Sequence, residues 1–196
     1  MNNKVQNVLL GVLAIGLIGI TVAYAALTQQ LKIEGTAKVA SSKWDVHFGT
    51  VSAGNAQGYA TAGTLAKTGE TTIAGDIGTL KAPGDSITYT FDIENAGDIN
   101  AIIDTVTGGQ SFTCTSATKS VADAVCKDLT YSIKYTDGNA TIAKGDKLAK
   151  ATNSSTPTKK NVTLTLTYKS TATTVASEDV TVTADPMTIT YVQGAK

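Results

Sequence analysis

The 196-residue sequence contains no arginine, one histidine, two cysteines, one tryptophan and three prolines. The lack of arginine, together with a formal net charge of zero, argues against a nucleic-acid partner, because guanidinium groups are the usual means of recognising phosphate and guanine. A single histidine, His47, without a CxxC pair cannot supply the ligand sets of the common zinc sites. No Ser–His–Asp arrangement can be assembled either. We therefore predict a non-enzymatic protein with no cofactor or metal.

The first 25 residues carry one charged side chain, Lys4, followed by a long uncharged apolar run. A short basic head, an apolar body and the small residues Ala23 and Ala25 predict a signal peptide over residues 1–25, cleaved before Ala26. The apolar run, about 18 residues long, could also span a bilayer. An uncleaved signal-anchor helix, which would be the chain's sole membrane contact, is therefore the alternative. Either way, we expect the rest of the chain to be extracellular or at the cell surface.

Residues 26–196 are long enough for a single domain with a well-buried core and short for two. Two cysteines twelve positions apart, Cys114 and Cys126, predict a disulfide in an oxidising compartment. A metal-binding pair is the alternative. The residues between them include Val121, Ala124 and Val125 at helical spacing, which favours a helical turn.

Most of the remaining sequence alternates between apolar and polar residues. This pattern is typical of strands with one buried face and one solvent-exposed face, and so of antiparallel sheets. Turn-forming Gly, Pro, Asn and Asp lie between the runs. We predict an all-β fold, an antiparallel Ig-like or jelly-roll-like β-sandwich, with a long irregular segment near residues 49–72. The predicted strands lie within 31–39, 44–48, 87–93, 129–135, 162–168 and 187–191.

Three groups of residues could carry chemistry, and each has a simpler interpretation. His47 falls on the polar face of a strand, where we expect it to be exposed. Five acids could bind Ca²⁺ through their oxygens, but without a dense DxDxDG loop we expect solvated edge carboxylates. Trp44 and Tyr59 could form a sugar-stacking platform with the strand tyrosines, but those tyrosines are in phase with apolar residues, which favours packing. A Lys–Asn isopeptide crosslink is a further possibility. The acids are Asp76, Asp85, Asp92, Glu94 and Asp98.

Two stretches resemble known families. The sequence "APGDSITYTFDIENAGDINAII" (residues 82–103) resembles Ig-like bacterial surface domains of the CARDB and DUF11 type, which implies an Ig-like sandwich and no particular activity. The order of an export signal, an early "L-x-I-x-G-x-A-x-V" strand and a sandwich is similar to the camelysin/TasA group of secreted biofilm fibre proteins and to archaeal bundling pili. Some members carry a metallopeptidase label, but no zinc-ligand set is present here to support that activity.

The camelysin/TasA resemblance implies that the early strand is donated to a neighbouring subunit. The candidate donor residues are Leu31, Ile33, Ala37 and Val39, although the strand could instead pair within its own chain. We therefore expect an exported structural protein of the cell surface or matrix that self-associates, or binds other surface proteins, and forms filaments. The alternative is a membrane-tethered module that binds carbohydrate or protein. A secreted hydrolase is a third hypothesis, which lacks a matching set of residues.

Overall fold

The computed structural model describes residues 2–27, 35–153 and 155–194, apart from the side chains of residues 16 and 18–27. The chain forms two compact units, Met1–Ala40 and Ser41–Lys196. The first contains helix α1 (Asn3–Leu27), which includes the predicted cleavage residues Ala23 and Ala25. Over the described part of the chain, no helix combines the length and the apolarity that crossing a membrane requires. Cleavage and anchoring remain predictions.

The second unit is built almost entirely from short strands, with one helix and one 3₁₀ turn among its described residues. Helix α2 spans Lys119–Lys127, between the two cysteines, where the sequence predicts a helical turn. The 3₁₀ turn spans Asp137–Asn139. The strands are β1 (Val46–Val51), β2 (Asn55–Gln57), β3 (Thr61–Ala62), β4 (Ala66–Gly69), β5 (Thr72–Ala74), β6 (Gly78–Thr79), β7 (Ser86–Asn95), β8 (Ala101–Thr107), β9 (Phe112–Thr115), β10 (Leu129–Tyr135), β11 (Lys147–Leu148), β12 (Thr158–Tyr168), β13 (Thr181–Ala184) and β14 (Thr188–Gln193).

The largest sheet has the strand order β1-β7-β12-β10, with β2 pairing beside β1 on β7. All its pairings are antiparallel. Over residues 86–93 of β7 and 162–168 of β12 every second residue is buried, as the alternation predicts, and threonines occupy many positions of the opposite face. The all-β, antiparallel part of the prediction is therefore confirmed.

A second sheet has the order β11-β8-β14, and two of its strands continue beyond a bend as the β9–β13 pair. Gly108 and Gly109 make the bend, with φ of 69° and 73°. A Cβ at Gly108 would run into the carbonyl oxygen of Pro186, and one at Gly109 into Met187. Only glycine combines this backbone conformation with so close an approach.

The main core joins side chains from both sheets. Ile87, Tyr89 and Leu164 from the first sheet and Ile103 from the second belong to one buried cluster. Phe48 of β1 packs edge-on against Phe91, with ring centroids 5.6 Å apart. A smaller cluster around Val125, Leu129 and Tyr168 lies beside α2. Apolar burial of this kind, at about 25 cal/mol per Å², is the main stabilising contribution to folding.

The structure differs from the sequence prediction at the start of this unit. The predicted strand 44–48 begins instead at Val46, and Trp44 is 44% exposed. The segment near 49–72 is more regular than predicted, because it contains β2, β3 and β4 and the start of β5. These strands are two to four residues long, too short to show an alternating pattern.

Candidate functional site

An open cleft of about 920 Å³ lies beside the smaller apolar cluster. Its lining includes Leu129 and Tyr131 of β10, and Leu166 and Tyr168 of β12. These four residues are in phase with the buried positions of their strands. The cleft therefore runs along the apolar face of the largest sheet where β10 is its last strand, with Leu129, Leu166 and Tyr168 buried and Tyr131 half-buried.

The other sides of the cleft come from parts of the chain that are distant in sequence. Phe112 of β9, Val182 of β13 and Val125 of α2 contribute apolar side chains, and residues 75–81, which include β6, complete the lining on another side. The predicted disulfide is present: Cys114 of β9 and Cys126 of α2 are bonded, with Cα atoms 5.9 Å apart. It joins two of the elements that line the cleft.

A buried carboxylate fixes the end of the loop beside the cleft. Asp85 is 1% exposed. Its Oδ2 accepts hydrogen bonds from the backbone N–H groups of Lys81 and Ala82 at 2.7 and 2.9 Å, and its Oδ1 accepts one from Tyr59 at 2.8 Å. Burial opposes ionisation, but the three N–H donors hold the pKa of Asp85 below its ordinary value. Asp85 is therefore a structural anchor, and the expectation that this acid is solvated was wrong.

A segment without regular secondary structure, residues 172–180, lies along the cleft; we call it the strap. Ala172, Ala176 and Val180 pack against the smaller apolar cluster, and residues 176–180 line the cleft. The hydroxyl of Tyr168 donates a hydrogen bond to the carbonyl oxygen of Thr174 at 2.5 Å. At the other end, the Glu178 carboxylate accepts hydrogen bonds from the N–H and hydroxyl groups of Thr118.

The cleft has an apolar floor and an acidic rim. Asp76, Glu178 and Asp179 line it against a single cation, Lys81, so these side chains have a net charge of −2. Burial raises the pKa of Tyr131, and the carboxylate of Asp185 adds to the shift. The floor therefore stays uncharged at all ordinary pH values. Its chemistry suits an apolar, extended ligand with a positively charged outer face.

The opposite face of the largest sheet carries a polar row in which His47 and Lys159 flank Glu94. The Nζ of Lys159 lies 2.7 Å from Glu94, and the Nε2 of His47 lies 3.7 Å from it. The Nδ1 of His47 also lies 2.7 Å from Asp45. His47 is thus half-buried between two carboxylates, and the expectation of an exposed histidine was wrong. A Cβ at Gly49 would collide with Glu94, so glycine makes room for the row.

The polar row does not favour an isopeptide crosslink. Asn161 donates a hydrogen bond to Asp92 at 2.9 Å, and Lys159 lies 3.3 Å from the same carboxylate. Glu94 first, and then Asp92, raises the pKa of Lys159. The amine is therefore held in its charged form, which is not a nucleophile.

The remaining candidates have separate roles. Asp76 accepts a hydrogen bond from the N–H of Gly78, and Asp98 accepts one from the N–H of Lys43. Among the described residues, no three His, Cys, Asp or Glu side chains are close enough together to hold a metal. Trp44 and Tyr59 are exposed, whereas the strand tyrosines Tyr89, Tyr131, Tyr135, Tyr168 and Tyr191 are buried or half-buried, as predicted.

The candidate donor residues fall partly outside the described part of the chain. Leu31 and Ile33 lie outside it. Ala37 and Val39 are exposed and belong to no strand, with Val39 96% exposed. The donor strand remains a prediction. Comparison of the chain with protein-family models, curated proteins and solved structures finds no match.

Proposed function

We propose that the protein is an exported, non-enzymatic structural subunit that forms filaments by donating its N-terminal strand, residues 31–39, to the cleft of a neighbouring copy. The observation that carries the proposal is the cleft itself, an open space of about 920 Å³ along the apolar sheet face and beside a free edge. Strand addition supplies main-chain hydrogen bonds along such an edge and pockets for alternate side chains. A head-to-tail contact of this kind produces an open filament.

The free edge belongs to β10. Its inner side pairs with β12 along its whole length. On its outer side, the described contacts are an isolated bridge between Lys134 and Thr141 and a hydrogen bond from the N–H of Tyr135 to Ala140. Residues 129–133 therefore present unpaired backbone next to the cleft, and a strand placed there would direct alternate side chains onto Leu129 and Tyr131.

The N-terminal strand has a suitable pattern and charge. Its apolar stripe places Leu31, Ile33, Ala37 and Val39 on one face, with Gly35 between them. The other face carries Lys32, Glu34 and Lys38, two cations and one anion, for a net charge of +1. That sign complements the acidic rim of the cleft, and complementary charge favours association.

We also infer that the two larger sheets face each other as an Ig-like or jelly-roll-like β-sandwich. Support comes from the main core cluster, which contains inward side chains of both sheets. Export also agrees with the cysteine pair, because disulfides persist in oxidising compartments.

Deletion of residues 27–39 tests the proposal. The second unit, Ser41–Lys196, contains the described core, so the shortened chain should stay folded but form no filaments by negative-stain microscopy and sedimentation. A matched pair of substitutions separates the two strand faces. Ile33→Lys on the apolar stripe should block assembly, whereas Thr36→Lys on the polar face should not. Unchanged filaments after the deletion, or an intact chain that stays monomeric at high concentration, would refute the proposal.

A further inference from the structure

We propose that the strap, residues 172–180, is a resident placeholder that the incoming strand displaces, so that the cleft stays partly covered until a neighbouring copy arrives. The inference rests on the proposed function and adds to it a step that controls assembly. It follows from three features of the strap: its side-chain pattern, its hydrogen bonds and how incompletely it fills the cleft.

The strap has the side-chain pattern of a β-strand. Along it, half-buried residues alternate with exposed ones at every position. The alternation continues without a break into β13, which pairs with β9. The strap therefore shares the alternation of β13 but has no ladder partner of its own, and the chain bends at residues 177 and 178. Its half-buried positions are Ala172, Thr174, Ala176, Glu178 and Val180.

Side chains hold the strap in place, without a backbone ladder. No residue in 173–179 takes part in a backbone–backbone hydrogen bond within the described part of the chain. Its attachments are the Tyr168–Thr174 hydrogen bond, the Glu178–Thr118 pair and the packing of three small or medium apolar side chains on the smaller cluster. A segment that has no backbone ladder and so few attachments opens at a small fraction of the cost of global unfolding.

The strap also fills the cleft poorly. Its inward side chains include two alanines, a threonine and a glutamate, and about 920 Å³ remains open beside them. The N-terminal strand offers Leu31, Ile33 and Val39 on one face, in phase with a two-residue period. Larger apolar side chains bury more surface. The backbone of the incoming strand would also pair with the backbone N–H and C=O groups on the outer edge of β10, which the strap leaves unpaired. We therefore expect replacement of the strap by the N-terminal strand to lower the free energy once the strap is released.

The rate of thiol labelling of the full chain can report when the strap leaves the cleft. In Ala176→Cys the new thiol is half-buried beneath the strap, and in Ser177→Cys it is exposed. Both native cysteines are in the disulfide, so without reductant only the new thiol reacts. Addition of a synthetic peptide of residues 27–39 should speed labelling at position 176 and leave position 177 unchanged.

A second pair of variants tests the attachment at Glu178. Glu178→Ala removes both hydrogen bonds to Thr118, whereas Asp179→Ala removes the adjacent, exposed carboxylate. The first should raise the labelling rate at position 176 and the peptide association rate about tenfold, as expected for losing hydrogen bonds to a charged group. The second should change neither rate.

The outcomes separate the two proposals. Peptide binding that leaves the labelling rate at position 176 unchanged would overturn the placeholder role and keep the proposed function. Equal peptide association rates for the Glu178 and Asp179 variants would also overturn the placeholder role. Failure of the peptide to bind any variant would overturn the proposed function, and the placeholder role with it.

Discussion

Replacement of Asp85 by asparagine should destabilise the second unit more than its single-atom change suggests. The carboxylate accepts three backbone hydrogen bonds at 2.7–2.9 Å and is 1% exposed. An asparagine side chain has one acceptor oxygen, and its NH₂ group can only donate. If the oxygen faces Lys81 and Ala82, the N–H of Tyr59 then faces another donor.

The expected cost follows from the hydrogen bonds that are lost. A hydrogen bond to a charged group contributes about 1.5–3 kcal/mol, and an unsatisfied buried donor costs about 1–3 kcal/mol. These two costs overlap, because they describe the same N–H group. We therefore expect Asp85→Asn to lower the free energy of unfolding by about 2–4 kcal/mol.

The pH dependence of stability gives a second, independent readout. Because folding lowers the pKa of Asp85, the unfolded chain binds a proton first as the pH falls. The contribution of Asp85 to stability is present above the unfolded value of about 4 and is lost as the pH falls through the folded pKa. Asp85→Asn removes that contribution, so the variant should lose less stability than the parent between pH 5 and the folded pKa.

Urea denaturation at pH 7 and across the acid range measures both effects. Asp104→Asn is a suitable control, because that carboxylate is exposed and pairs with Lys144 at the surface. Such pairs contribute about 0–1 kcal/mol. The anchoring role assigned to Asp85 is wrong if the free energy of unfolding of Asp85→Asn at pH 7 lies within about 0.5 kcal/mol of the parent's. It is also wrong if the free energy of unfolding of the variant falls with pH in the acid range as steeply as the parent's.

Two further predictions concern elements near the cleft. Reduction of the Cys114–Cys126 disulfide should lower the free energy of unfolding by about 3 kcal/mol, measured by urea denaturation with and without reductant; an unchanged midpoint would contradict it. Gly58→Ala should cost more than Gly138→Ala. Both glycines have positive φ, where a side chain costs about 1–2 kcal/mol, but only at Gly58 would a Cβ also meet the Asp85 carboxylate. Equal melting temperatures for the two variants would contradict this.

The sequence predicts the long strands well because each has its own strong pattern. In β7, Ile87, Tyr89, Phe91 and Ile93 are all buried, as the two-residue period requires. Strand β8 was missed, although Ala101 and Ile103 are buried, because Ile102 between them is also apolar and hides the alternation. The strap was missed because its inward positions are small or polar, so its alternation shows only in the burial of its residues.

The cleft and its anchor could not be predicted from local patterns. The cleft is lined by residues from five separated parts of the chain, and no single part shows it. Asp85 lies in a turn, where acids are usually solvated. Its burial depends on the N–H of Tyr59, 26 positions away, and pairing between such distant groups is set by the fold.

Photo-crosslinking in assembled material tests the central claim most directly. A crosslinker at position 37 or 39 in one copy, mixed with isotopically labelled chains, should form adducts between copies at residues 129–131, 166–168 or 172–184. Adducts found only within one chain would show that the N-terminal strand pairs within its own subunit. Adducts on the polar row around Glu94 would place the N-terminal strand on the opposite face of the largest sheet. Either result would contradict assembly through the cleft.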